Sequence, residues 1–180
     1  YEWAVSDFAC VMVGAVSVPI YATNTREQAK YIIQDADIKL IFVGNETQYQ
    51  NAAQICSDGV ALQIISYDLS LTLDPALAVR FDDFLRIESS EAFEAEISKR
   101  QSEIKSKDMT TIIYTSGTTG NPKGVMLSHA NLFHQFMAVD ASFSVTSKDT
   151  SLCFLPLSHV YERMWSYYVY LKGAVHTYLE

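Results

Sequence analysis

TIIYTSGTTGNPKGVMLSHAN, residues 111 to 131, sets an apolar strand end, a polar glycine-rich turn and a capped helix in a row. Ile112, Ile113 and Tyr114 read as the end of a buried strand. Thr115, Ser116, Thr118 and Thr119 bring hydroxyls, which donate hydrogen bonds to phosphate oxygens. Gly117, Gly120 and Gly124 remove the side chains that would hold the backbone away from an anion, and they permit positive φ. Lys123 adds a mobile point charge, and Pro122 stiffens the turn beside it. Ser128 reads as the N-cap of a helix that starts near His129. A turn so built suits the charged tail of a nucleoside triphosphate.

The stretch is not the common P-loop, which needs Gly, four residues, then Gly-Lys and Ser or Thr. Pro122 stands five after Gly117, and Gly124 follows Lys123. No G-x-G-x-x-G occurs either. The competing reading is a flexible Ser/Thr/Gly linker. A linker has no need of a strand before it, a capped helix after it and a lysine within it. Lys123 alone could be a plain surface lysine, and Thr115 could be strand packing.

YTSGTTGNPKG, Tyr114 to Gly124, resembles the phosphate-loop signature of the AMP-forming adenylating enzymes at every position. VMLSHANL, Val125 to Leu132, is similar to what that family places next. FLPLSHVYERM, Phe154 to Met164, resembles the long-chain fatty acid–CoA ligase branch, as does Gly14 to Val43. The resemblance implies a fragment of the large N-terminal domain, an α/β fold whose largely parallel sheet has helices on both faces. The family's enzymes are several times longer. The absent initiator Met, the start inside a helix and the apolar end at Ala174–Leu179 all read as an excised piece, residues 1–180.

The chemistry implied is attack of a fatty acid carboxylate on the α-phosphorus of ATP, giving acyl-adenylate and pyrophosphate. Coenzyme A then displaces AMP. Thr115, Ser116, Gly117, Thr118, Thr119, Gly120 and Lys123 would hold the phosphates, with Lys123 catalytic through the departing pyrophosphate. The resemblance also implies His159, and with it Arg163, at the acyl-adenylate; alternatively His159 is a helix-start histidine satisfied by backbone. Glu162 and Arg163 could pair with each other or with another domain. The aromatic residues Trp165, Tyr167, Tyr168 and Tyr170 read as core or interface rather than acyl tunnel. ATP, Mg2+ and coenzyme A are the implied co-substrates. The family's adenine and magnesium motif, ribose-binding aspartate and catalytic lysine are not in this sequence, so no metal ligand is assigned and the isolated chain is expected to be inactive. Exposed apolar surface should then drive self-association. Another adenylating enzyme, for aryl or amino acids, and a non-catalytic nucleotide-responsive protein are the alternatives.

Composition narrows the classes further. A formal charge of −8 over 180 residues argues against nucleic-acid binding. Cys10, Cys56 and Cys153 are odd in number and show no C-x-x-C or zinc spacing, so they read as reduced residues of a cytoplasmic protein. No apolar run approaches a membrane span of ~20 residues; the expected location is cytoplasmic, with peripheral contact at the inner face of the membrane as the further expectation.

Elsewhere, helices and strands alternate as a parallel α/β sheet requires. Ala4–Gly14 reads as a buried helix, and Val16–Tyr21 as a strand limited by Pro19. Thr25 and Gln28 form a capping box for a helix to about Asp35. Leu40–Val43 and Leu62–Ile65 read as strands around a helix over Glu46–Cys56. Tyr67–Phe84 reads as irregular, with Phe81, Phe84 and Leu85 pinned to the core. Ser90 caps a polar helix with Phe93 and Ile97 inward and a Glu96–Arg100 pair outside. The phosphate-loop helix should reach about Val139. A strand near Leu152–Leu155, a helix over Val160–Leu171 stopped by Gly173 and a strand over Ala174–Tyr178 complete the chain.

Overall fold

The computed structural model describes residues 1–115 and 121–178. Helix α1 (Glu2–Met12) turns at Gly14, where φ is +70°, as glycine allows. Helix α2 (Arg26–Asp35) begins in the expected capping box: Thr25 Oγ1 accepts from Gln28 N, and Gln28 Oε1 accepts from Thr25 N at 2.9 Å. Its inward Ile32 and Ile33 are fully buried, each worth about 1.5–3 kcal/mol. Strand β1 (Leu40–Val43), helix α3 (Glu46–Ser57) and strand β2 (Gln63–Ser66) follow as a crossover unit, with Leu40 opposite Gln63 and Val43 opposite Ser66 in parallel register. Val43, Tyr49, Ala52 and Ile64 join Leu71 and Ala78 in one core cluster.

Two segments depart from expectation here. Val16–Tyr21 makes only a single parallel bridge, Ser17 to Thr111. Ser17 N donates to Thr110 O and Ile112 N donates to Ser17 O; Pro19, with no N–H, cannot extend that ladder. Tyr67–Phe84 is less irregular than its composition suggests. Strand β3 (Ala78–Arg80) pairs in parallel with β2, and helix α4 (Phe81–Leu85) follows at once. Phe81 is buried, and the Phe42, Tyr67, Phe81 and Phe84 rings pack together. Leu85, however, is 60% exposed and not pinned to the core.

Helix α5 (Glu91–Glu103) is capped by Ser90 and carries no buried residue. Phe93 is 56% exposed rather than inward, and Ile97 is half-buried. Arg100 and Glu96 pair at 2.9 Å on its surface. Strand β4 (Met109–Thr115) and strand β5 (Lys123–Ser128) form an antiparallel hairpin, the exception to otherwise parallel strand pairing among the described residues. Helix α6 (His129–Ser142) then starts in a second capping box, Ser128 with Asn131. Strand β6 (Thr150–Cys153), helix α7 (Val160–Leu171) and strand β7 (Val175–Tyr178) form a second parallel unit. Gly173, φ +70°, ends α7 as expected. No helix among the described residues is long and apolar enough to cross a membrane.

Candidate functional site

The hairpin fixes where the polar turn begins and ends. Thr115 stands opposite Lys123, and Tyr114 opposite Gly124. Both side chains of the first pair are exposed, so a hydroxyl and an ammonium flank the mouth of the connection 116–122. Ser116, Gly117, Thr118, Thr119 and Gly120 lie outside the described residues.

Gly124 has a different task from the one its composition suggests. It lies within β5 and does not have positive φ. A Cβ there would stand 2.7 Å from Ile112 Cγ2 and 3.1 Å from Tyr114 Cζ. The missing side chain thus leaves room for Tyr114 to lie across the hairpin. Gly124→Ala is expected to cost about 1–3 kcal/mol through overpacking, because Ile112 is stiff at χ1. Equilibrium unfolding of the full-length protein checks this, and a neutral result would show that the hairpin relaxes freely.

Tyr114 links the hairpin to α2. Its hydroxyl donates to Asp35 Oδ2 at 2.5 Å, and its ring meets Tyr31 edge-on. Burial, and then the Asp35 carboxylate, raise the phenol pKa well above its usual range, so it stays a donor. Beside it opens a groove of about 480 Å³ lined by Tyr21, Thr23, Asn24, Gln28, Tyr114, Thr115 and Pro122. One wall is therefore the hairpin end and the other is the segment leading into α2. Sequence reasoning used Thr25 and Gln28 only as a helix cap. Tyr21, Thr23 and Asn24 were missed, although a run of polar residues just before a helix start is the kind of signal that marks an exposed, donor-rich edge. Among the described residues, none of the lining side chains is a carboxylate.

His159 and Arg163 do not line this groove. His159 caps α7: its Nδ1 accepts from Tyr161 N at 3.2 Å, and its own N–H donates to Pro156 O. Arg163 is 1% exposed and faces Asp7 of α1, itself 4% exposed. Arg163 Nε and Nη2 each donate to one Asp7 oxygen at 2.7 Å, and Nη1 donates to Thr111 Oγ1 at 2.6 Å. Tyr167 and Ser17 donate to the same carboxylate, and Thr111 Oγ1 donates on to Ser17 O. Burial alone would pull the guanidinium pKa down, but Asp7 and Tyr167 together outweigh it and raise it. Arg163 thus pairs neither with Glu162 nor with a separate domain. It ties α7 to α1 and to the strand that ends at Thr115. Tyr167 and Tyr168 are buried core, and Trp165 Nε1 donates to Ser151 Oγ at 2.6 Å.

Residues 1–180 match the profile of the family described as AMP-binding enzyme. The chain is 35% identical over 165 residues to long-chain-fatty-acid–CoA ligase FadD15 of Mycobacterium bovis, covering 91% of this chain and 26% of that protein. It is 34% identical over 180 residues to the human long-chain-fatty-acid–CoA ligase ACSBG2, covering 98% of this chain and 27% of that protein. The chain therefore spans about a quarter of the length of these curated relatives. Its fold is similar to ATP-bound MatB of Rhodopseudomonas palustris, with a TM-score of 0.70 at 22% identity over 99% of this chain and 33% of that one. VinN in complex with L-aspartate is also similar, with a TM-score of 0.70 at 19% identity over 99% of this chain and 42% of that one.

Proposed function

The chain belongs to the AMP-binding enzyme family, and from that premise we propose that it is the phosphate-holding part of the N-terminal domain of a ligase for long-chain fatty acids. In this reading the parent enzyme joins the fatty acid carboxylate to the α-phosphorus of ATP, releases pyrophosphate, and passes the acyl group to coenzyme A. One observation carries the proposal: a hydroxyl-, glycine- and lysine-bearing turn starts and ends on a paired Thr115–Lys123 rung beside an open groove. The similarity to two long-chain-fatty-acid–CoA ligases supplies the substrate class.

The physical logic is alignment and charge. A carboxylate is a weak nucleophile, so the rate must come from holding it in line and from stabilising the leaving pyrophosphate. The hairpin ladder holds the Lys123 backbone, so its ammonium can be present before charge develops rather than being recruited by it. Thr115 donates from the facing strand. Ser116, Gly117, Thr118, Thr119 and Gly120 complete the phosphate cradle in this proposal. Tyr114 and the Tyr21–Asn24 segment form the wall on which the nucleotide rests. Magnesium arrives with ATP, and the described residues that line the groove include no carboxylate to hold it. His159 is assigned to the acyl-adenylate and Arg163 to holding α7 in register behind it.

The test is ATP–pyrophosphate exchange by the full-length protein across an acid panel. Exchange that rises severalfold with long-chain fatty acids over aryl and amino acids supports the reading. Preference for an amino acid or aryl acid would move the substrate class, and no exchange with any acid would remove the enzyme reading. The isolated 180-residue chain should show none, and should self-associate through exposed residues such as Met126, Phe133 and Phe154.

A further inference from the structure

Cys153 closes β6, Glu162 lies in the first turn of α7 and His176 lies on β7. The parallel register of β6 and β7, with α7 packed on them, brings three residues far apart in sequence to one place. The Cys153 sulfur, a Glu162 carboxylate oxygen and a His176 ring nitrogen all lie within 4.8 Å of one another. Cys153 is buried, and the Glu162 and His176 side chains are 2% and 0% exposed. Glu162 Oε1 lies 3.3 Å from His176 Nε2, within ion-pair distance, and is fully shielded from water. A buried carboxylate is stable only beside positive charge or a donor.

We propose that Cys153, Glu162 and His176 bind one divalent cation of the zinc class, at a site separate from the nucleotide groove. The donor set is one sulfur, one imidazole nitrogen and one carboxylate oxygen. Zinc and cobalt take that set, whereas magnesium and calcium require oxygen ligands in larger number. Charge balance favours it too: thiolate and carboxylate together cancel a doubly charged ion, and the imidazole stays neutral. On binding, the S–H bond breaks, a sulfur–metal bond forms and the proton leaves to solvent. Ser166 Oγ lies within hydrogen-bond distance of His176 Nε2, at 3.0 Å, and helps to fix the ring. The ion would clamp α7 onto β6 and β7. Spacing in the sequence gives no hint of it, because the ligands come from three elements rather than one short motif.

Full-length protein stripped with chelator and titrated with Co2+ tests this. One equivalent should bind with a thiolate-to-cobalt charge-transfer band and tetrahedral d–d bands. Zinc should abolish both and excess magnesium neither. X-ray absorption should find one sulfur at about 2.3 Å and the remaining ligands at about 2.0–2.2 Å. Cys153→Ser should lose the charge-transfer band, and His176→Ala should weaken binding at least about tenfold. Absence of the band in the unmutated protein overturns the proposal without recourse to any variant. A band that persists in folded Cys153→Ser overturns it as well, because the thiolate would then lie elsewhere.

Discussion

Arg163→Ala is expected to lower folding stability by about 3–5 kcal/mol, the usual cost of removing one member of a buried ion pair. The variant leaves Asp7 charged and enclosed, with only the Tyr167 and Ser17 hydroxyls to donate to it. It also strips Thr111 Oγ1 of its charged donor. The loss reflects the stranded carboxylate more than the worth of the pair, so a double replacement should behave differently. Asp7→Leu with Arg163→Met, which fills the space with apolar side chains, should recover most of the loss. Urea unfolding of the full-length protein gives both numbers. A loss below about 1 kcal/mol for Arg163→Ala would mean that Asp7 escapes to water or takes up a proton, and that the network does not hold α7 to α1.

Lys123→Ala should act on rate and leave the fold alone. The side chain is exposed, so its removal should change stability by no more than about 0.5 kcal/mol. Removing a preorganised donor from a developing negative charge costs on the order of 3 kcal/mol, or about a hundredfold in rate. The loss should fall on kcat for adenylation, with KM for the fatty acid little altered, because the ammonium meets the pyrophosphate and not the acyl chain. Lys123→Arg should recover part of the rate, since it restores charge but not the compact ammonium. Pyrophosphate exchange by the full-length protein reads all three quantities. Unaltered exchange in Lys123→Ala would remove the role given to this residue.

Much of the fold was legible in the sequence because its signals are local. The Thr25–Gln28 capping box, the Val160–Leu171 helix and its Gly173 stop are each written within a few residues. So is the family resemblance, which lies in a contiguous stretch and agrees with the profile match over residues 1–180. The three residues of β3 are too few to show a period, which is why Tyr67–Phe84 read as irregular. Lys123–Ser128 carried no strand reading between the polar turn and the Ser128 cap, and the packing of Ile112 and Tyr114 against Gly124 explains a glycine in that strand. Long-range partnerships left no local trace. Ala4–Gly14 read simply as a buried helix, and the partner of its Asp7 lies 156 residues away. The groove wall at Tyr21–Asn24 was missed for the same reason, since nothing nearby in sequence tells it to face the hairpin.

A crystal of the full-length protein grown with ATP tests the central claim most directly. The β- and γ-phosphates should lie against the segment from Thr115 to Lys123, with the Lys123 ammonium within hydrogen-bond reach of a phosphate oxygen and the nucleoside beside Tyr114. Nucleotide bound at another place on the protein, with the Thr115–Lys123 turn bare, would contradict the account.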